Sequence, residues 1–244
     1  MGDLVVFVSV ALAVIGFAMA AKAWTKSLRL RRAEHIRTFR FPRGLFNKFG
    51  EHYPNMGRKD VALVSRGLRQ FFIAYLMSGN KYVAMPSKVV DDLWHEFILY
   101  THDYKVFCDK AFGEFLHHTP AAALESGRKR SNEGLRRVWW FACKYENINA
   151  TNPTRLPLLF ALDGKLNVPG GYHYEPDCEQ LRRQGVLGAQ CANDFTRMDI
   201  DGSLNGFGER TRQGTAGCGG GGAACGGGEG AGCGGGCGGG CGGE

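Results

Sequence analysis

The sequence carries no HExxH, CxxC, P-loop or Ser-His-Asp pattern. That removes the zincin, dithiol-redox, phosphate-loop and serine-hydrolase readings that rest on those spacings. It also has no apolar–polar alternation as long as its helical stretches, which leaves a mainly α class. Residues 4–21, LVVFVSVALAVIGFAMAA, hold no charge, and the MGD before them holds no Lys or Arg. A secretory signal needs positive charge ahead of its apolar core. Although Ala18-Met19-Ala20 has the small residues of a cleavage site, the expectation is therefore an uncleaved anchor over residues 1–22. Eighteen residues at a rise of about 1.5 Å span about 27 Å, close to a bilayer core of about 30 Å.

Acid is nearly absent directly after the apolar run. Between Lys22 and Gly50 there are nine Lys or Arg and one acid, Glu34, so this stretch accounts for more than the whole formal charge of +7. A basic run can mark a nucleic-acid partner. Placed directly after an apolar segment, it reads instead as a cytoplasmic flank that contacts anionic lipid over residues 22–43, with residues 23–39 as a juxtamembrane segment. The expectation is a single-pass membrane protein, held in the bilayer through residues 4–21, with its bulk in the cytoplasm and no nucleic-acid partner.

Residues 40–175 have helical periodicity and are read as a compact bundle. Val61, Val64, Leu68, Phe71, Phe72 and Tyr75 share one face of a helix over 60–77, ended by Gly79-Asn80. Ser87 is placed to cap a second helix whose stripe is Val90, Leu93, Trp94, Phe97 and Ile98, with Asp91 and Asp92 near its positive end. A third starts about Asp103 and stops at Gly113. A fourth runs near Glu133 to Lys144. A Pro-punctuated stretch with the apolar run LPLLFAL closes at Asp163-Gly164. Trp94, Tyr104, Cys108 and Trp139 fall on apolar faces and are expected in the core, as is Cys143.

Residues 94–120 hold four histidines, one cysteine and seven aromatics. His95 and His102, seven apart, sit about 10 Å apart along one helix and cannot share an ion. Asp91 and His95, at i and i+4, can. His117 or His118 from the following segment would complete an open three-ligand site, with Glu96 as a base. The alternative is structural: Asp91 orients His95, and His118 caps a turn before Pro120. No residue is assigned a catalytic role.

Beyond this domain the chain changes character. Residues 176–216 are polar, Gly-rich and aperiodic, and read as a linker. The segment beginning at Asp201 fails as a calcium loop, because its twelfth position is Arg212 where an acid is required. In residues 217–244, eighteen of twenty-eight positions are Gly, so the tail is expected to be disordered. It carries Cys218, Cys225, Cys233, Cys237 and Cys241. Thiolates at such spacing could wrap a soft ion, Cu(I) or Zn(II), or serve no shared role in a flexible tether. In a cytoplasmic setting they are expected to be reduced, with Cys178 and Cys191 isolated.

The stretch MPSKVVDDLWHEFILYTHDYKVFCDKAFGEFLHHTP, with RRVWWFACKYENI and NPTRLPLLFALDGKLNVPGGYHYEPDC, resembles the glycine-rich domain-containing proteins, a family of bacterial members with plant relatives. Asp91, Trp94, His95, Tyr104, Cys108, Gly113 and His118 carry the likeness. Phe97 stands where the plant relatives have a second histidine. The resemblance implies no reaction; plant members are linked to growth and stress responses and to RNA. The function read from the residues is a membrane-tethered, non-enzymatic scaffold or binding module. Its rivals are a metal-dependent, hydrolase-like enzyme using Asp91, His95 and His118, and an RNA-binding protein.

Overall fold

The computed structural model describes residues 2–118, 128–176, 190, 191 and 195, with side chains omitted for the first few residues and for 128–132. Among these, seven helices and one two-residue strand pair appear: α1 (Gly2–Thr38), α2 (Arg43–His52), α3 (Arg58–Met77), α4 (Lys88–Leu99), α5 (Thr101–Ala111), α6 (Arg128–Tyr145), α7 (Leu158–Lys165), β1 (Tyr174–Glu175) and β2 (Gln190–Cys191). The strands run parallel, Tyr174 facing Gln190 and Glu175 facing Cys191.

α1 is long and apolar enough to cross a membrane. Its described N-terminal residues lie wholly exposed, with Phe7, Leu12, Phe17 and Trp24 among the bare side chains. The helix does not end with the apolar run. It continues through the basic stretch into the bundle, where Ala33 and Ile36 are buried against α3 and α5. Residues 23–38 thus continue the same helix as the apolar run, and its buried positions begin at Ala33. A single helix changes from apolar all round to basic all round to amphipathic, so its last two turns escape a composition-based boundary.

α3 is the central helix, packed on α1, α4, α6 and α7. Gly67 on α3 permits the close approach. A Cβ there would lie 2.4 Å from a Leu162 methyl on α7 and 3.0 Å from one of Val90 on α4. Phe72 sits in the aromatic layer between α4 and α5, with ring centroids 6.1 Å from Trp94 and 4.9 Å from Phe107. Trp94, Tyr104, Cys108, Trp139 and Cys143 are all buried, as their helix faces indicated.

Two helices were not anticipated. α2 is short and follows Pro42 without a side-chain cap, though Leu45 and Phe49 recur at i and i+4; α7 is an eight-residue helix with apolar residues on nearly every side and so gives no periodic signal. α7 is instead capped from a distance. Leu158 N–H donates to Glu146 Oε1 at 2.7 Å and Leu159 N–H to Gln70 Oε1 at 2.8 Å. The stretch 176–216 is also not wholly linker. Cys191 is buried and disulfide-bonded, with a partner outside the described residues, and the Phe195 ring packs 5.6 Å from Trp139 and from Phe160. The remainder of 176–216, and the tail with Cys218, Cys225, Cys233, Cys237 and Cys241, lie outside the described residues.

Asp163, at the C-terminal end of α7, is 1% exposed, yet its carboxylate is fully engaged. It accepts from Ser87 Oγ at 2.7 Å, Lys88 N–H at 2.7 Å, Val89 N–H at 3.2 Å and Tyr172 N–H at 2.9 Å. A buried carboxylate at a helix N-terminus satisfies orphan amides and meets the positive end of the dipole. Ser87 adds its own cap, accepting from Val90 N–H at 3.4 Å. Asp163→Ala strands these donors in the interior and is expected to cost about 2–5 kcal/mol, read as a fall in denaturation midpoint. A loss below about 0.5 kcal/mol would contradict this role.

Burial pushes the Cys108 thiol up, and pushes that of Cys143 to about 12. An unperturbed thiol ionises near about 8.5, and the thiolate is the nucleophile. Both residues are therefore expected to resist iodoacetamide at pH 8 in the native chain and to react on denaturation. Native labelling followed by mass spectrometry checks this.

Candidate metal centre

The face of α4 opposite the core carries Lys88, Asp91, Asp92, His95 and Glu96, while Val89, Val90, Leu93, Trp94 and Phe97 are buried. Helical spacing thus puts Asp91 and His95 on one edge without further help. His118 reaches that edge by a longer route. Gly113, at φ +80°, ends α5 in the left-handed conformation open to glycine, and the chain returns along α4. Tyr104 then ties it down. Its hydroxyl receives a hydrogen bond from Trp94 Nε1 at 3.1 Å and donates to the Leu116 carbonyl at 2.6 Å. Burial drives the Tyr104 phenol far up, so it stays a donor. The Trp94 indole also packs edge-on to the His118 ring, with centroids 4.6 Å apart.

The result is a cluster of three side chains. One ligand atom each from Asp91, His95 and His118 lie within 4.8 Å of one another. His118 Nε2 is 3.1 Å from Asp91 Oδ1, and His95 Nδ1 is 3.7 Å from Asp91 Oδ2. The first is a hydrogen bond; the second is too long for one. The two imidazole rings lie 4.2 Å apart by centroid. Tetrahedral ligands on bonds of about 2.0–2.1 Å stand about 3.3 Å apart, so rotamer adjustments of about an ångström would close the set on one ion. Exposure rises across the cluster, from 14% for the His118 side chain to 30% for Asp91 and 48% for His95. One side is therefore walled and the other open.

Two clefts meet at this edge of α4. One, of about 530 Å³, is lined by Asp91, Trp94, Glu114, His118, Tyr172 and Tyr174. The other, of about 670 Å³, is lined by His52, Tyr53, Asp92, His95 and Glu96. Lys88 borders both. Within the second cleft Tyr53 donates to Asp92 Oδ2 at 2.5 Å, and burial together with that carboxylate pushes its phenol up.

The remaining expectations divide. His117 is exposed and turned to the Phe115 ring, 4.8 Å away, rather than to Asp91. His102 is exposed on α5, outside the cluster. Glu96 pairs with His52 at 3.3 Å and belongs to the neighbouring cleft rather than to the cluster. Lys88, Glu114 and Asp163 escaped the sequence reading as site residues. Asp163 lies far along the chain from α4, and the one local hint was Ser87, a cap in need of support.

The family model of the UCP032817-like proteins matches residues 31–195. That is more than half of the chain, and the protein belongs to this family. The match opens within two residues of the first buried position on α1, Ala33, and closes on Phe195, which packs on Phe160 of α7. No curated protein and no solved structure matches the chain.

Proposed function

We propose that this UCP032817-like protein is a membrane-anchored metal-binding domain whose centre is Asp91, His95 and His118. The observation that carries the reading is the convergence of three ligand atoms, from two separate segments, within 4.8 Å at the mouth of two clefts. The donor set of two imidazoles and one carboxylate suits a divalent first-row ion such as Zn(II), and is too hard for Cu(I). When bound with a coordination position open, such an ion supplies Lewis acidity or an activated water. The chain's own part is to hold the ligands. Asp91 is anchored by the first turn of α4 and His118 by the Trp94–Tyr104–Leu116 linkage, while His95, the most exposed ligand, closes the set. Binding of a metal or a partner, rather than a reaction, is the function assigned. Glu96 is paired with His52 and is given no role as a general base.

A second reading has its own observation. The 3.1 Å contact between Asp91 and His118 is sufficient to fasten the 113–118 segment to α4 with no ion present. Metal analysis of the purified full chain, after zinc loading and removal of excess, separates the two. About one zinc per chain is expected, lost on His95→Ala with helix content unchanged. No retained metal, or undiminished metal in both His95→Ala and His118→Ala, would leave the fastening role in place of the metal site.

The anchor is proposed to be single-pass over residues 4–21, with the domain on the cytoplasmic side. The support is the nine-to-one excess of basic residues between Lys22 and Gly50. The disulfide at Cys191 favours the opposite, oxidising side. A C-terminal reporter active only in the cytoplasm is expected to be active. An inactive reporter would reverse the orientation.

A further inference from the structure

We infer that a further groove, lined by no residue of α4, binds a phosphate-bearing anion. It lies among the end of α1, α3, the end of α6 and α7, and has a volume of about 650 Å³. Five of its lining residues are cationic, Arg37, Arg66, Arg69, Arg155 and Lys165, against one carboxylate, Glu146. The site is separate from the metal centre and does not depend on it.

Glu146 cannot neutralise this excess. Its Oε1 already accepts from Gln70 Nε2 at 2.7 Å and Leu158 N–H at 2.7 Å, and its Oε2 accepts from Arg155 Nη1 at 2.5 Å. The carboxylate is consumed in capping α7 and holding one arginine. Arg69 is the second observation. Its guanidinium donates to the carbonyls of Phe39, at 2.9 Å, and Ser65, at 3.1 Å, and to the Ser65 hydroxyl, and lies over the Phe41 ring. No carboxylate faces it among the described residues, and its Nε is a buried donor without a partner. Burial lowers the Arg69 pKa, the sign of a charge partly taken from water. Arg37 is half-committed, 3.6 Å from Glu34 and stacked on the Tyr145 ring. Arg66 and Lys165 are exposed on the rim. Planar guanidinium forks and an ammonium around one concavity match the oxygens of a phosphate group.

Such a phosphate comes from solution or from a lipid headgroup. Fifteen residues of α1 between Lys22 and Arg37 span about 22 Å, so an upright anchor holds the groove clear of the bilayer and favours a soluble anion. The test uses the full chain in a neutral detergent, titrated calorimetrically with sodium pyrophosphate and, separately, with water-soluble dihexanoyl phosphatidylglycerol. Saturable binding of at least one probe is expected, weakened by added salt and at least tenfold weaker in R66E/K165E. Both substitutions lie on exposed side chains, and an unchanged thermal midpoint certifies the fold. Binding of pyrophosphate identifies a soluble source; binding of the lipid analogue alone identifies a headgroup. No saturable binding of either, or equal affinity in R66E/K165E, overturns the assignment.

Discussion

One buried carboxylate holds the functional half of this molecule in register. Asp163 joins three stretches distant in sequence: the start of α4, the end of α7 and the strand-forming segment at Tyr172. An ionised carboxylate in a protein interior is costly unless each lone pair is used. Here the donors are a hydroxyl and backbone amides, groups that would themselves be orphaned without it. The desolvation cost and the capping gain therefore fall on the same atoms. The consequence reaches beyond stability. Asp91 lies one turn after these amides and His95 two turns, so the axial position of both metal candidates is set by the depth at which Asp163 seats the helix.

A second constraint fixes the returning segment. Trp94, Tyr104 and the Leu116 carbonyl form a buried relay from α4 through α5 to the returning segment. Hydrogen bonds in a water-free interior are directional and costly to leave unmade. The relay therefore places His118 by geometry rather than by apolar packing alone. The side chains that make the site are each held through a near neighbour in the chain: Trp94 beside His95, and Leu116 two positions before His118. A domain that needed only to be folded could bury a phenylalanine at Tyr104 with less polar accounting.

How much of this could be read beforehand tracks the range of each interaction. α3 and α4 were legible because their apolar residues recur at helical spacing and because Ser87 and Gly79-Asn80 are local punctuation. The Asp91–His95 pair was legible for the same reason, since i and i+4 meet on any helix. The choice between His117 and His118 was not. Adjacent residues in an extended segment point oppositely, and which one faced α4 hung on Tyr104, twelve and more positions earlier. α7 was missed because its signal is not periodic: an eight-residue helix with its amides capped by Glu146 and Gln70 is made by its surroundings. The burial of Ala33 and Ile36 was not legible, because α1 has no break after the apolar run for composition to detect. Phe195 and Cys191 were hidden within a polar stretch whose average says linker.

The two grooves differ in the charge of their linings. On α4 the acids Asp91, Asp92 and Glu96 gather with two histidines nearby, a setting that attracts cations. In the basic groove, arginines from α1 and α3 and a lysine from α7 line a wall whose one carboxylate is spent. Elsewhere the exposed charges alternate in sign, as in Lys48–Glu51 and Lys105–Asp109. α1 bears directly on the basic face, because Arg37 sits on the same unbroken helix that carries the apolar run, and Ala33 and Ile36 lock that helix into the core. A flexible tether would leave the groove free to turn in any direction. A helix continuous from the apolar run to the core instead sets the groove's direction relative to the apolar run.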